Sequence, residues 1–415
     1  MNRVTFAFLA TWLAAFQSPA PRTDVFVESI RHPAIDYLGA APHDAAAALN
    51  ERLAAGAARL AFDRDTGYLL AVLDALRVPV ESQTLVFSQG SAQAKQIGVR
   101  NPRALYFNDA VAVGWVRGAD RLELAVHDPR QGVEFYTIEQ KASDAPRLTR
   151  ETACLRCHLT WDTLGVPGLQ VLSTFPMSDD PNAYADGLVA DHRTPIDQRW
   201  GGWFVTGKSV PARHMGNQPV IVPAAALKKA QVPPRRLASV AEEFDTTGYP
   251  ARSSDIVSLM VLTHQAHMTN LITRAGWEAR VGGPGAPARV REAARDLVDY
   301  LLFIDEAPLA GRVEGSSGFA EWFEAQGARD GQGRSLRQFD LQRRLFRYPC
   351  SYMIYTAAFD ALPSTAKDAV YGRLADVLAG REKDARYARL SLADRQAIAA
   401  ILGETKKDFL PYFQR

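Results

Sequence analysis

Hydrophobic and polar residues alternate over residues 83–140, and this pattern predicts β-strands. The segments QTLVFSQ, RALYFNDAVAVGWVRG, RLELAVHDP and GVEFYTIEQ are rich in valine and aromatic residues. Turn-forming residues separate them, among them Asn108, Asp109 and Gly118. Short strands at this spacing, joined by polar turns, are typical of an antiparallel meander.

A helical period of hydrophobic residues occupies the chain on both sides of this region. Residues 41–76 repeat alanine and leucine at helical spacing, and Asp44 is placed to cap the first helix. The helical period returns from residue 253 to the C-terminus, where the glycine- and proline-rich residues 282–288 form a turn between helices. The predicted helical segments of this half are DIVSLMVLTHQAHMTNLITRAGWEAR, VREAARDLVDYLLFI, AEWFEAQ, LRQFDLQRRLF, YMIYTAAFDAL, DAVYGRLADVLAG and LADRQAIAAILGET.

The order of these patterns predicts an α+β fold. A helical N-terminal lead is followed by an antiparallel β meander, a loop-rich segment dense in glycine, proline and aromatic residues, and a helical C-terminal half. The predicted organisation is a signal peptide at residues 1–20, a helix-plus-sheet domain at 21–150, the loop-rich segment at 151–250 and a helical domain at 251–415.

Composition and the N-terminus indicate where the protein works. The formal net charge of the 415-residue chain is +2, with no long basic block, which argues against a nucleic-acid partner. A single arginine precedes about a dozen apolar residues and then small residues, as in an export signal. That run is shorter than the ~20 residues of a membrane span. We therefore expect a periplasmic or otherwise exported protein with no integral span once the signal is removed; a retained anchor is the alternative.

Two of the three cysteines lie in the pentapeptide Cys154-Leu155-Arg156-Cys157-His158. Thiols at this spacing can add to the two vinyl groups of haem, and the adjacent imidazole can then bind the iron. A zinc site and a redox-active dithiol are the alternatives. Zinc needs three or four protein ligands, and no second cysteine pair exists; a thioredoxin-type dithiol opens a helix in a βαβ unit. The third cysteine, Cys350, has the surroundings of a buried core residue.

The pentapeptide resembles the attachment motif of c-type cytochromes. The chain is similar in this respect to single-haem, cytochrome c domain-containing proteins exported by bacteria, although the likeness covers five residues only. The resemblance implies one covalently bound haem c, with Cys154 and Cys157 holding the haem and His158 as an axial iron ligand. The chain departs from a small cytochrome c in its length, in the position of the motif and in the β-rich segment before it.

The sixth iron ligand is predicted to come from the loop ARHMGN. Met215 is the first candidate and His214 the second, because a loop is free to place a side chain over the iron. His264 is a further candidate, since an imidazole on an otherwise apolar helical stripe needs a partner. Trp200 and Trp203 are candidates for packing beside the haem, and Arg156, Arg199 and Arg213 for pairing with its propionates.

These features favour periplasmic electron transfer as the function. The expected partner is a periplasmic redox protein or a small-molecule electron donor or acceptor. The alternatives are a haem-dependent oxidoreductase, either peroxidase-like or a small-molecule oxidase, and a haem sensor with an open iron site. No glycine-rich nucleotide loop is present in the sequence, so a flavin or nicotinamide site is not indicated.

Overall fold

The computed structural model of the protein describes residues 30–174, 177–178, 187–218, 221–222 and 235–413. The predicted signal peptide lies outside these residues. Within them the architecture is α+β, as the sequence predicts, with an antiparallel sheet of seven strands followed by a helical C-terminal half. Among the described residues, no helix combines the length and the apolar character needed to cross a bilayer.

The strands and helices have the following bounds. The strands are β1 Thr84–Val86, β2 Arg103–Phe107, β3 Val111–Trp115, β4 Arg121–Asp128, β5 Gly132–Glu139, β6 Thr149–Arg150, β7 Leu172–Ser173, β8 Met177–Ser178, β9 Leu188–Val189, β10 Trp203–Phe204 and β11 Ile221–Val222. The helices are α1 Ala45–Ala54, α2 Leu69–Ala75, α3 Leu155–His158, α4 Ile256–Val281, α5 Ala286–Leu301, α6 Phe319–Ala325, α7 Ala357–Asp360, α8 Ser364–Leu378, α9 Leu392–Thr405 and α10 Leu410–Phe413.

The predicted meander forms the main sheet. Strands β1 to β6 pair with their sequence neighbours, and β10 joins the free edge of β1, so the strand order is β10-β1-β2-β3-β4-β5-β6. Every pairing in this sheet is antiparallel. Two short ladders, β7 with β9 and β11 with β8, lie in the loop-rich segment.

The two faces of the sheet contact different cores. Side chains alternate between faces along each strand, and Tyr106, Val113 and Leu124 pack on one face with the buried side of α1 and α2. The larger core is built on α4, whose side chains are mostly buried. Leu105 and Ala112, which belong to the opposite face of the sheet, pack partly buried against this second core. Buried Cys350 also lies in it, as predicted.

Two predicted helical stretches are interrupted. The helical pattern at residues 41–76 gives α1, capped by Asp44 as predicted, and then α2; Gly56, at a positive φ of 70°, follows the first helix, and a bridge joins Asp63 to Gly67. The predicted helix at residues 336–346 is wrong. There the Asp340 carboxylate accepts the amides of residues 342 and 343, and an isolated bridge pairs Phe339 with Phe346. Side-chain capping of this kind competes with helix formation.

Candidate functional site

The pentapeptide folds as a tight helical turn directly after β6. The Glu151 carboxylate accepts the amide of Ala153 at 3.0 Å and so caps a 3₁₀ turn over Thr152–Cys154. The single turn of α3 follows and ends at His158. Residues three and four apart share a face of a helix. Cys154 therefore shares a face of the turn with Cys157, three residues later, and with His158, four residues later.

The two residues between the cysteines have different environments. Leu155 packs, partly buried, in a small apolar cluster with Val166 and with Trp277 of α4. Arg156 is exposed. Burial of Leu155 fixes which side of the turn faces the protein, because the leucine cannot leave that cluster without exposing its apolar surface. Cys157 is exposed and Cys154 is half-buried.

The His158 imidazole is oriented by a hydrogen bond to the backbone. Its Nδ1 donates to the Gly168 carbonyl oxygen at 2.8 Å, since a carbonyl can only accept. Burial lowers the pKa of His158, so the ring is neutral at pH 7 and Nε2 carries a lone pair. No hydrogen bond to Nε2 is formed within the described part of the chain. Metal-binding histidines have this arrangement, with one ring nitrogen held by a carbonyl and the other free for the metal.

The Cys154 thiol is protonated at neutral pH. Burial, together with the charges of Glu123 and Glu151, raises the pKa of Cys154 to about 11. A redox-active dithiol needs a thiolate, which a raised pKa disfavours, whereas a bound zinc ion would itself deprotonate its thiol ligands. No group of three or more His, Cys, Asp or Glu side chains in the described ranges is arranged to hold a metal ion. A cysteine that forms a thioether, by contrast, needs no thiolate afterwards.

The motif lies over the second face of the sheet. Register places Leu105, Gly114, Glu123 and Thr137 in one cross-strand row, and Phe107, Ala112, Ala125 and Phe135 in the next. The ring of His158 lies 4.8 Å from the ring of Phe135, centroid to centroid, at the end of the second row. The two middle positions of the first row are Gly114 and Glu123, and those of the second row are Ala112 and Ala125. The Arg103 side chain lies over Gly114, and Leu105 and Ala112 pack against the core around α4, so Phe135 is the residue of this face whose contact with the motif is direct.

An ion pair crosses this face beside the motif. Arg103 Nη2 lies 2.6 Å from Glu123 Oε2, and both charges act on the pKa of His158 and of Cys154. A methyl group at Gly114 would lie 2.3 Å from Arg103 Nη2, so the glycine lets the guanidinium cross the sheet. Arg103 Nε is buried and has no hydrogen-bond partner. It remains available to an acceptor such as a carboxylate.

Helix α4 holds the loop that orients His158. Asn270 is buried. Its side-chain oxygen accepts the Leu169 N–H at 2.8 Å, and its side-chain nitrogen donates to the Leu169 carbonyl at 2.7 Å. Gly168 lies against Asn270, where a side chain would be only 2.2 Å from the Asn270 oxygen. The carbonyl that fixes the imidazole is therefore itself fixed by α4, the longest helix among the described residues.

The predicted sixth ligands, Met215 and His214, lie further along the loop-rich segment than His158. Met215 Sδ lies 3.8 Å from Ser173 Oγ, and the Met215 amide donates to the Arg199 carbonyl. The chain from Gly168 to Ser173 links this contact to His158, a span of at most about 18 Å when extended. No hydrogen bond or ring contact joins His158 to Met215 or His214 within the described residues. The order of these candidates thus stays a prediction.

His214 has the chemistry of a neutral nitrogen ligand. It is buried beside Trp200, with 6.0 Å between the ring centroids, and its Nδ1 has no hydrogen-bond partner. Burial lowers the pKa of His214 to about 4, so the ring is uncharged at neutral pH. An unpaired buried nitrogen is costly, which makes His214 a stronger candidate than its sequence position alone suggests.

His264 has no free nitrogen for iron. Its Nδ1 is bonded to His192 Nδ1 and its Nε2 to Ser351 Oγ, each at 2.8 Å, and the side chain is fully buried. An imidazole on an apolar helical stripe requires polar partners, and those of His264 are His192 and Ser351. The interpretation of His264 as an axial ligand is wrong in this arrangement.

Trp200, Trp203 and Arg199, which the sequence suggested as contacts of the haem, are buried. Trp200 and Trp203 both belong to the core around α4. The guanidinium of Arg199 is buried and donates to the backbone carbonyls of Thr194 and His192, at 2.6 and 2.7 Å. Arg199 is thus not available to a haem propionate, whereas Arg156 and Arg213 are exposed.

Several residues that build the site were not indicated by any sequence pattern. Phe135, Asn270, Gly168 and the Arg103–Glu123 pair are brought to the motif by strand register and by α4, across separations of up to about a hundred residues. The alternation of β4 and β5 was the one usable signal, since it puts Glu123 and Phe135 on the same face.

The groups by which a c-type haem would be held are the thiols of Cys154 and Cys157, three residues apart on one turn, and the His158 imidazole, which has a fixed orientation and a free nitrogen. Comparison with known proteins adds no relative: no family model, no curated protein and no solved structure matches this chain.

Proposed function

We propose that this chain is an exported c-type haem protein that transfers electrons in the periplasm through one covalently bound haem. The observation that carries the proposal is the His158 imidazole, held at Nδ1 by the Gly168 carbonyl with Nε2 free, on the same helical turn as Cys154 and Cys157. A bound haem would supply the one-electron chemistry. The chain would attach it, bind the iron from one side and shield one face of it with the sheet.

The site geometry supports electron transfer more than thiol chemistry. The thiol of Cys154 is protonated at neutral pH, and Cys157 lies at the surface, so the edge of a group attached there would be accessible to a partner. An exposed edge is what a redox protein or a small-molecule electron donor or acceptor would approach. The alternative, a haem-dependent oxidoreductase or a sensor, requires the second side of the iron to be open.

Absorption spectra of the purified full chain, oxidised, reduced and reduced with CO, test this proposal. We expect a six-coordinate spectrum that CO changes little, and we expect Met215→Ala to open the iron to CO and to lower the reduction potential, because a thioether ligand raises the potential. His214→Ala, from the same loop, tests the second candidate: an iron that opens to CO in this variant and not in Met215→Ala would assign the sixth ligand to His214. Ready CO binding by the unmutated protein would contradict electron transfer and favour the alternative.

The support of His158 by α4 gives a second expected result. Asn270→Ala removes both hydrogen bonds to Leu169 and leaves two backbone groups unpaired, which costs about 1–3 kcal/mol of stability for each buried group. Because the Gly168 carbonyl then loses its support, the reduction potential should shift as well. Urea unfolding and a redox titration measure the two effects.

Asn50→Ala is the matched control. Asn50 forms the same pair of hydrogen bonds with the backbone of Leu148, at 2.8 and 3.0 Å, on the α1 side of the sheet. Asn50→Ala should lower the free energy of unfolding and leave the reduction potential unchanged. Equal potentials in all three proteins would show that the loop does not position the iron ligand.

A further inference from the structure

A cavity of about 200 Å³ lies in the helical half, outside the site described above. Its walls come from the turn after α5, from the loop around residues 343–349 and from the 3₁₀ turn Ala385–Arg389. Since a water molecule takes about 30 Å³ in the liquid, the space corresponds to about six waters or one small organic molecule. The charged side chains that line it are Glu306, Arg343, Arg344 and Arg389.

The arginines of the cavity are not equally neutralised. Arg343 pairs with Asp340 at 2.9 Å, and Arg344 pairs with Asp394 at 2.7 Å. Arg389 has no carboxylate within ion-pair distance among the described residues and donates from Nη2 to the Glu306 backbone carbonyl at 2.8 Å. Arg344 Nε is buried and lacks a hydrogen-bond partner. The cavity wall therefore holds one guanidinium without a carboxylate partner, that of Arg389.

Glu306 is the only carboxylate on the cavity wall, and it too lacks an ion-pair partner within the described residues. Its Oε1 accepts the amide of Leu345 at 2.9 Å, and its side chain is buried. Behind it lies the buried guanidinium of Arg199, which contacts carbonyls and no carboxylate within 4 Å in the described ranges. Unpaired positive charge thus exceeds unpaired negative charge around the cavity.

We propose that this cavity binds a small organic acid or phosphate through its oxyanion group. The guanidinium of Arg389 donates to the anion, and Glu306 in its protonated form donates a second hydrogen bond. Guanidinium groups suit this role because their donors match the geometry of carboxylate and phosphate. The proposal is independent of the haem.

Protonation of Glu306 sets the pH dependence. Burial raises the pKa of Glu306 to about 7, and Arg199, Arg344 and Arg389, which face it from three different segments, lower it in part. Below this pKa the carboxyl is neutral and can donate; above it the carboxylate repels an anion. Binding should therefore weaken as the pH rises through about 7.

Calorimetric titration of the full chain with succinate and with inorganic phosphate, at constant ionic strength and at about pH 6 and pH 8, tests the proposal. We expect one saturable site for at least one of them, tighter at the lower pH. The two anions distinguish a carboxylate ligand from a phosphate. Arg389→Gln should weaken binding about tenfold or more, the loss of one charge-assisted hydrogen bond.

Two variants keep the test decisive. Glu306→Gln preserves an acceptor for Leu345 and should bind succinate equally well at both pH values. Arg381→Gln removes a surface arginine that pairs with Asp376 and does not line the cavity, and it should bind like the unmutated chain. Absence of saturable binding to either anion would overturn the proposal. So would equal losses in the Arg389 and Arg381 variants, or a pH dependence of succinate binding that persists in Glu306→Gln.

Discussion

The double variant Cys154→Ser, Cys157→Ser is expected to carry no haem on the denatured polypeptide, whereas the unmutated chain retains it. Each thiol would contribute one thioether bond, and without both of them only coordination by His158 would remain, which denaturation breaks. The measurement is haem staining of a denaturing gel, after expression with a cytochrome maturation system. This is the largest effect that we expect from any change in the chain.

Cys350→Ala is the control for this experiment. Cys350 is fully buried in the core around α4, and burial keeps it protonated by raising its pKa. Its variant should therefore stain like the unmutated protein. Staining that survives in the double variant, or that is lost with Cys350, would show that the pentapeptide is not the attachment site.

Glu134→Ala is expected to lower the free energy of unfolding by about 1–3 kcal/mol, the cost of leaving the partly buried Arg150 without its carboxylate partner. Glu134 is fully buried on β5 and binds Arg150 of β6 through two hydrogen bonds, at 2.6 and 2.7 Å. The Arg150 guanidinium also lies 5.0 Å from the ring centroid of Tyr37. This pair holds the strand from which the pentapeptide starts.

Chemical unfolding of the full chain measures that loss, with Asp376→Ala as the matched control. Asp376 pairs with Arg381 at 2.7 Å, but both side chains are about half exposed. An exposed pair contributes about 0–1 kcal/mol. Similar losses in the two variants would show that burial of Glu134 does not determine its contribution.

Local patterns predicted most of the fold. The meander was readable because each strand alternates and each turn contains residues such as Asn108 that favour turns. The helices α4 and α8 were readable from their period. Residues 336–346 were misjudged, because apolar residues at helical spacing there form a bridge and pack on the core instead. Spacing alone does not reveal which hydrogen bonds an aspartate such as Asp340 will form.

Only those parts of the candidate site that lie within a few consecutive residues were predictable from the sequence. The spacing of Cys154, Cys157 and His158 within one turn is a property of five consecutive residues. The partner of His264 was not predictable, since His192 lies 72 residues away in a loop without periodicity. The contact between Asn270 and Leu169 likewise depends on how α4 crosses the loop. Such contacts follow from tertiary packing, which a single sequence does not display.

The intact mass of the denatured full chain, purified from cells that mature c-type cytochromes, tests the central claim most directly. Our account predicts the mass of the polypeptide plus one haem, with the added mass on the peptide that contains Cys154 and Cys157. A mass equal to that of the polypeptide alone, with both thiols free to react with an alkylating reagent, would contradict it.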